Sequence, residues 1–380
     1  MYDIPRAGTM ADMSKSTGEP SGGLLAGIAA APDAASLFAV TSDRLRRVAP
    51  FDAAVWVATD PINGLTAAPV RIENLQPGGC GIYWESEFLA DAVNPFRHLT
   101  KSPVPVSGLR EATGDRPWSS PLYRDFMRPR GFDDELRAVF RVDGRPWGQL
   151  SLFRGRGRAP FRAEDMAVVG SLSSPMAQRL RSYARSTEAP RQPFDTPGML
   201  LFDRAGNLRS INDEARGFLA DMLPGPRAAT PSGIDLPLPV WIRSTVGRAR
   251  ETGGNARIRI RARTGGWLIC HASRLRGAED TDGMTAMTIG PAPVSEIATL
   301  VVAAYELTPR EREVTELIAR GLSTTEIARL LFLSPHTVRD HVKAVFAKVA
   351  VASRGELVAK LFTVHYEPLV APESTRVRHP

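Results

Sequence analysis

Two cysteines in 380 residues, Cys80 and Cys270, are too few and too far apart for a disulfide framework. Neither sits in the C-x-x-C spacing that would hold a structural zinc, and such sparse thiol use suits a reducing cytoplasm. Long apolar runs are missing too: nothing approaches the roughly eighteen uninterrupted apolar residues of a membrane span, so no membrane partner is expected. The run Leu24 to Ala31 imitates the core of a secretion signal. Its leader, however, carries only Arg6 and Lys15 as basic residues, offset by Asp3, Asp12 and Glu19. Catalytic signatures are also lacking. There is no G-x-x-x-x-G-K-[ST] phosphate loop, no H-E-x-x-H and no G-x-S-x-G elbow, so no enzyme activity, cofactor or metal is expected. The strands read as hairpins, which argues against a phosphorylated receiver domain and its parallel sheet.

What is present is the composition of an ordinary folded protein, 43% hydrophobic, on a chain long enough for two or three cores. The formal charge of +7 favours an anionic partner such as nucleic acid, but an Arg-rich surface has the same signature. Proline and glycine punctuate the chain. The three prolines between Glu188 and Gly198 oppose helix, and a second break falls at Gly290-Pro291-Ala292-Pro293. The expected organisation is a disordered leader (1–22), a first block (23–186), a linker (187–197), a second block (198–292), a linker (293–306), a helical domain (307–363) and a tail (364–380).

In the first block, Asp52 to Thr59 is a short apolar run with β-branched and aromatic members, expected as a buried strand. Leu136–Val142 and Arg145–Phe153 flank Asp143-Gly144, a dipeptide suited to a two-residue hairpin because both positions tolerate positive φ. From Ala163 to Tyr183, Met166, Val169, Leu172, Met176 and Leu180 recur at helical spacing, with a kink expected at Pro175. The second block opens with a strand, a turn at 204–207 and a second strand. Helices over 213–223 and 239–251 follow, then a hairpin of 257–263 and 267–275, and a last strand near 284–289.

This element order in the second block resembles a PAS domain, and the first block resembles a GAF domain. Both families are sensory modules that commonly bind small ligands or dimerise. No ligand residue is named in either block. Trp56, Phe140, Trp147 and Trp267 are expected in strands, where core packing is the commoner use and lining a cavity the alternative. Cys270 and His271 are adjacent in a strand and therefore point to opposite faces, which opposes a shared metal. Arg257, Arg259, Arg261 and Arg263 alternate with apolar residues and share one face. A solvated face is expected there, with an anionic ligand or partner as the alternative.

Residues 307–363 are richer in signal. Thr308-Pro309-Arg310-Glu311 is a capping box with proline at the first helical position, and Gly321 ends that helix. Ser323-Thr324-Thr325-Glu326 is a second capping box, Ser334-Pro335 caps a third helix, and Ser353-Arg354-Gly355-Glu356 caps a fourth. Phe332-Leu333-Ser334 is the short connection expected of a helix-turn-helix, whose second helix enters the DNA major groove. In that helix, about 335–349, Val338, Val342, Val345, Phe346 and Val349 fall inward. Arg339, Asp340, Lys343, Ala347 and Lys348 are left outside, and Arg339 and Lys343, one turn apart, suit the acceptors of guanine in the groove. For Asp340, pairing with Lys343 is preferred over accepting from cytosine N4.

Leu307 to Val314, Gly321-Leu322-Ser323, Glu326-Ile327-Ala328 and Ser334 to Val338 closely resemble the DNA-binding domain of the LuxR family of bacterial regulators. The resemblance covers 307–362 and implies a four-helix domain whose third helix reads DNA and whose fourth often serves dimerisation. Matched position by position, major-groove contacts fall on Arg339, Asp340 and Lys343 and phosphate contacts on helix-start residues. The resulting DNA-binding set is Thr324, Thr325, Ser334, Pro335, His336, Thr337, Arg339, Asp340, Lys343 and Lys348. One departure is Ala350, where the family usually has glycine, which would permit a left-handed cap.

The expected fold is thus a multidomain α+β chain, GAF-like and PAS-like antiparallel sheets with helices, followed by an all-α four-helix domain. The expected protein is a cytoplasmic transcription regulator binding double-stranded DNA as a homodimer, with the helix from Ala163 and the helix after Ser353 as candidate dimer contacts. A small-molecule effector and RNA polymerase are the further partners considered. Two alternatives stand beside it: front domains serving only dimerisation or protein contacts, and an enzyme fused to a DNA-binding domain.

Overall fold

The computed structural model describes residues 18–76, 80–88, 92–184, 196–222, 225–228, 234, 236–251, 254–277, 282–293, 296, 300 and 303–362. The expected tail, nearly all of the first linker and most of the expected leader lie outside them. Helix α1 (Gly18–Ala30) nevertheless opens within the stretch read as leader, and the Leu24 run belongs to it, with Leu24 and Ile28 buried.

The first block continues with α2 (Ala34–Val48), β1 (Ala53–Thr59), β2 (Thr66–Glu73), α3 (Cys80–Ser86), α4 (Phe96–Leu99), β3 (Val106–Gly108) and α5 (Leu109–Ala112). The hairpin β4 (Phe132–Val142) and β5 (Arg145–Gly155) follows, then α6 (Ala163–Ser171) and α7 (Ser173–Tyr183). The hairpin turns where expected, with Asp143 and Gly144 at φ 52° and 71°, the left-handed pair of a tight turn matching strand twist. The expected long helix is broken at Leu172, three residues before Pro175. A proline ring collides with the backbone of the preceding turn and has no N–H to give it, so the interruption appears upstream of the proline.

The second block contains β6 (Gly198–Phe202), β7 (Leu208–Ile211), α8 (Asp213–Ala220), a short pair β8 (Arg227–Ala228) and β9 (Leu238–Pro239), α9 (Val240–Glu251), β10 (Asn255–Arg261), β11 (Trp267–Arg274) and β12 (Thr285–Pro291). Gly198 lets β6 lie close against α8, since a Cβ there would sit 2.6 Å from Ala215 Cα.

Both five-stranded sheets are antiparallel, ordered β2-β1-β5-β4-β3 and β10-β11-β12-β6-β7. Counting strands afresh in each sheet, the two orders are the same: 2-1-5-4-3. The first sheet is covered on both sides. Trp56, Phe140, Leu150 and Leu152 pack under α1, α2, α6 and α7, while Val55, Val57 and Phe153 pack on the other face with Tyr83, Trp84 and Phe126. The apolar stripe of α6 and α7 is therefore used inside this core. The second sheet buries Phe202, Ile258, Ile260, Leu268 and Cys270 against α8 and α9.

Its opposite face carries the alternating arginines, and the solvated face expected for them is not what forms. Arg259 is buried, its Nη1 donating to Asp60 Oδ2 of the first block at 2.8 Å and its other nitrogens to Glu296. Arg261 donates to the Tyr183 carbonyl at 2.9 Å. Only Arg257 and Arg263 remain largely open to solvent. Cys270 is fully buried and His271 exposed, on opposite faces as alternation requires. Trp56, Phe140 and Trp147 pack in the core, and Trp267 is half-buried between it and the C-terminal helices.

Candidate nucleic-acid interface

The last four helices are α10 (Pro309–Ala319), α11 (Thr324–Leu331), α12 (Pro335–Val349) and α13 (Arg354–Phe362). Their starts are set by local chemistry. Thr308 Oγ1 accepts from the Glu311 amide at 3.2 Å while Glu311 Oε2 accepts from the Thr308 amide at 2.7 Å. Ser323 and Glu326 repeat the reciprocal pair, and their hydrogen bonds hold the Glu326 carboxyl below its ordinary pKa. Ser334 Oγ accepts from the Thr337 amide at 3.0 Å, and Pro335 takes the first helical position. Val314, Ile318, Ile327, Ala328, Val338, Val345 and Val349 close a small core that also takes in Ile269 of β11, so the bundle rests on the second sheet.

Between α11 and α12 the turn is made by Phe332 at φ 55°, a residue 96% exposed. Ala350 adopts φ 54° at the end of α12, and Val351 N–H closes back on the Phe346 carbonyl at 3.0 Å. The left-handed cap forms without glycine, with the Cβ strain retained.

Burying the valine stripe turns the opposite side of α12 outward, where Arg339, Asp340 and Lys343 are all exposed. His336 is exposed beside them, and its Nδ1 lies 3.8 Å from Asp340 Oδ2. Asp340 therefore turns toward the histidine one turn before it instead of making the expected pair with Lys343; i,i+3 and i,i+4 neighbours share a helix face, so the side-chain rotamer makes the choice. At the helix starts, Thr325, Ser334 and Pro335 are exposed and Thr337 is half-buried. Thr324 Oγ1 accepts from Arg354 Nη2 at 3.1 Å.

Lys348 departs from the rest. Its Nζ donates to Glu311 Oε2 at 2.6 Å and to the Glu306 carbonyl at 3.2 Å, which ties it to α10 and away from the face that carries Arg339 and Lys343. Burial alone would raise the Glu311 carboxyl, but the Lys348 ammonium and the Thr308 amide outweigh it and hold its pKa below the ordinary value. Arg354 was not singled out in the sequence beyond its place in a cap. It clasps the start of α11 by donating to the Leu322 carbonyl at 2.8 Å and to Thr324. A half-buried arginine whose acceptors lie 32 and 30 residues earlier in the chain leaves no local pattern to read.

The family model described as "Bacterial regulatory proteins, luxR family" matches residues 305–361. The spore germination protein GerE of Bacillus subtilis is 46% identical over 55 residues, 14% of this chain and 74% of that protein. The nitrate/nitrite response regulator NarL of Escherichia coli is 47% identical over 51 residues, 13% of this chain and 24% of that protein. The chain spans 6% of the length of the mycobacterial HTH-type transcriptional regulators it matches at 50 to 52% identity. Among solved structures, SdiA in complex with octanoyl-rac-glycerol covers 91% of this chain and 93% of its own, at 11% identity and TM-score 0.34. The GAF domain of a phosphoenolpyruvate-protein phosphotransferase from Coxiella burnetii covers 44% and 92%, at 16% and 0.29. With a four-helix arrangement formed as its caps require and most of a compact relative matched by sequence, the chain belongs to the LuxR family of bacterial regulatory proteins, a family of DNA-binding transcription regulators.

Proposed function

We propose that this protein is a sequence-specific transcription regulator that sets α12 into the DNA major groove and is controlled by a signal received in its two front blocks. The observation that carries the DNA reading is the exposure of Arg339 and Lys343, one turn apart, on the face of α12 opposite its buried valines. Guanidinium and ammonium donors at that spacing suit adjacent guanine acceptors. His336 and Asp340 complete the face. Thr325, Ser334, Pro335 and Thr337 at the helix starts, with Thr324 held by Arg354, fit phosphate contacts, where amides and hydroxyls gather at the positive end of a helix. Lys348 is left out of this set because its charge is already engaged by Glu311.

A single recognition helix covers few base pairs, so the protein is expected to act as a homodimer on paired half-sites. Since α6 and α7 use their apolar stripe internally, α13 is the better candidate contact. Two sheets of like strand order and a terminal helical bundle support a division into GAF-like (23–186), PAS-like (198–292) and helix-turn-helix (307–363) domains, and the shared order supports the sensory reading. Operators recovered by selection from genomic fragments supply the test. Arg339→Ala and Lys343→Ala should each weaken operator binding by roughly 1–3 kcal/mol while sparing non-specific binding. Unchanged operator affinity in both variants would remove the reading face from α12.

A further inference from the structure

Beneath α3 and α4, on the outer face of the first sheet, lies a cavity of about 550 Å³. Its walls are aromatic: Tyr83, Trp84, Phe88 and Phe96. Its charges are mostly of one sign, with Arg97, Lys101, Arg137, Arg145 and Arg248 against the single carboxylate Glu87. The second block closes one side, since Ser244 and Arg248 come from α9.

The polar groups are fixed before any ligand arrives. Arg137 is buried, its Nη1 donating to Glu87 Oε2 at 3.0 Å and its Nε to Glu135 Oε1 at 2.9 Å, with the guanidinium 4.9 Å from the Phe96 ring centre. Tyr83 Oη lies 2.9 Å from Ser151 Oγ, and Gln149 donates to the Gly64 carbonyl at 3.0 Å. Burial pushes the Glu87 carboxyl up to about 7, with the Arg137 and Arg97 charges working the other way.

We propose that this cavity binds a small aromatic carboxylate, its ring between the aromatic walls and its carboxylate toward Arg145, Lys101 and Arg97. The volume suits a ligand of one or two rings, and an apolar body with one fixed anionic end matches a pocket of aromatic walls and clustered donors. The site also has an outlet. Arg145 stands at the end of the β4–β5 hairpin, whose turn residue Asp143 accepts from Arg181 of α7 at 2.9 Å, and the same Arg181 lies 3.0 Å from Glu306 just ahead of α10. An anion at Arg145 would alter the charge balance beside Asp143 and so change how the hairpin bears on the DNA-binding bundle.

This proposal rests on the sensory reading of the front blocks, and the test separates the two. Calorimetric titration of the full-length protein with indole-3-acetate, phenylacetate and benzoate should give saturable binding to at least one. The matching neutral amide should bind about tenfold or more weakly, as loss of a charge-assisted contact implies. Arg145→Gln and Lys101→Gln, both at the cavity's edge, should each weaken binding by several-fold while leaving the unfolding midpoint within about 2 °C of wild type. No heat from any of the three acids up to about 5 mM overturns the proposal. So does equal binding of acid and amide, or binding unaffected by both variants. Operator affinity measured with and without saturating acid addresses the other reading: binding without any change in DNA affinity retains the site and removes its role as the signal.

Discussion

The two sheets of the front half share one strand order yet bury their polar residues by different means. The first sheet closes over its own. Glu135, Arg137, Gln149 and Ser151 are buried beneath α3 and neighbouring segments of the same block, paired with one another and with Glu87, Tyr83 and Gly64. The second covers only one face with its own helices. Its arginine face finds partners outside the block, in Asp60, Tyr183 and Glu296. Topology alone therefore does not determine whether a sheet is self-sufficient. What decides is where the counter-charges for its second face lie in the chain, because a buried charge without a partner is far costlier than a buried pair.

The contrast can be broken most directly at the junction. Asp60→Ala leaves the buried Arg259 with half its partners, and should cost roughly 3–5 kcal/mol, the penalty for removing one member of a buried pair. Urea unfolding should then resolve two transitions where the wild type shows a more concerted one; a loss below about 1 kcal/mol would mean that the second block does not depend on the first.

A smaller effect is expected inside the first block. The Glu87 pKa of about 7 is above its ordinary value, so its contribution to stability is complete below pH about 4.5 and is lost as pH rises through about 7. Stability should fall across that window, and Glu87→Gln should flatten this part of the slope. An unchanged pH profile would place Glu87 in water.

The smallest effect belongs to the terminal bundle, which is held by local caps. Ala350→Gly relieves the Cβ strain of the left-handed cap against the greater freedom of glycine in the unfolded chain, and should raise stability by up to about 1 kcal/mol in thermal unfolding. A decrease would show that the cap carries no strain.

The features legible in the sequence were those whose partners lie within a few residues. The capping pairs Thr308–Glu311 and Ser323–Glu326, the Asp143-Gly144 turn and the inward valines of α12 all formed as read. The exposed Arg339 and Lys343 followed from that valine stripe, since helical geometry fixes one face once the other is buried. Illegible were Lys348, drawn to a glutamate 37 residues away, and Arg354, which meets α11 across 30. Asp340 was misjudged locally because His336 and Lys343 both stand about one turn from it, and only rotamer and position chose His336.

By itself, then, the sequence determined the capped terminal helices, the hairpin turns and the exposed face of α12. Hydrogen bonds between near neighbours and the periods of helix and strand are properties of short segments. Only the tertiary structure decided the fate of the alternating arginines and the assembly of the cationic, aromatic cavity. Those depend on which distant side chains arrive opposite, and alternation tells which residues share a face without telling what that face will meet.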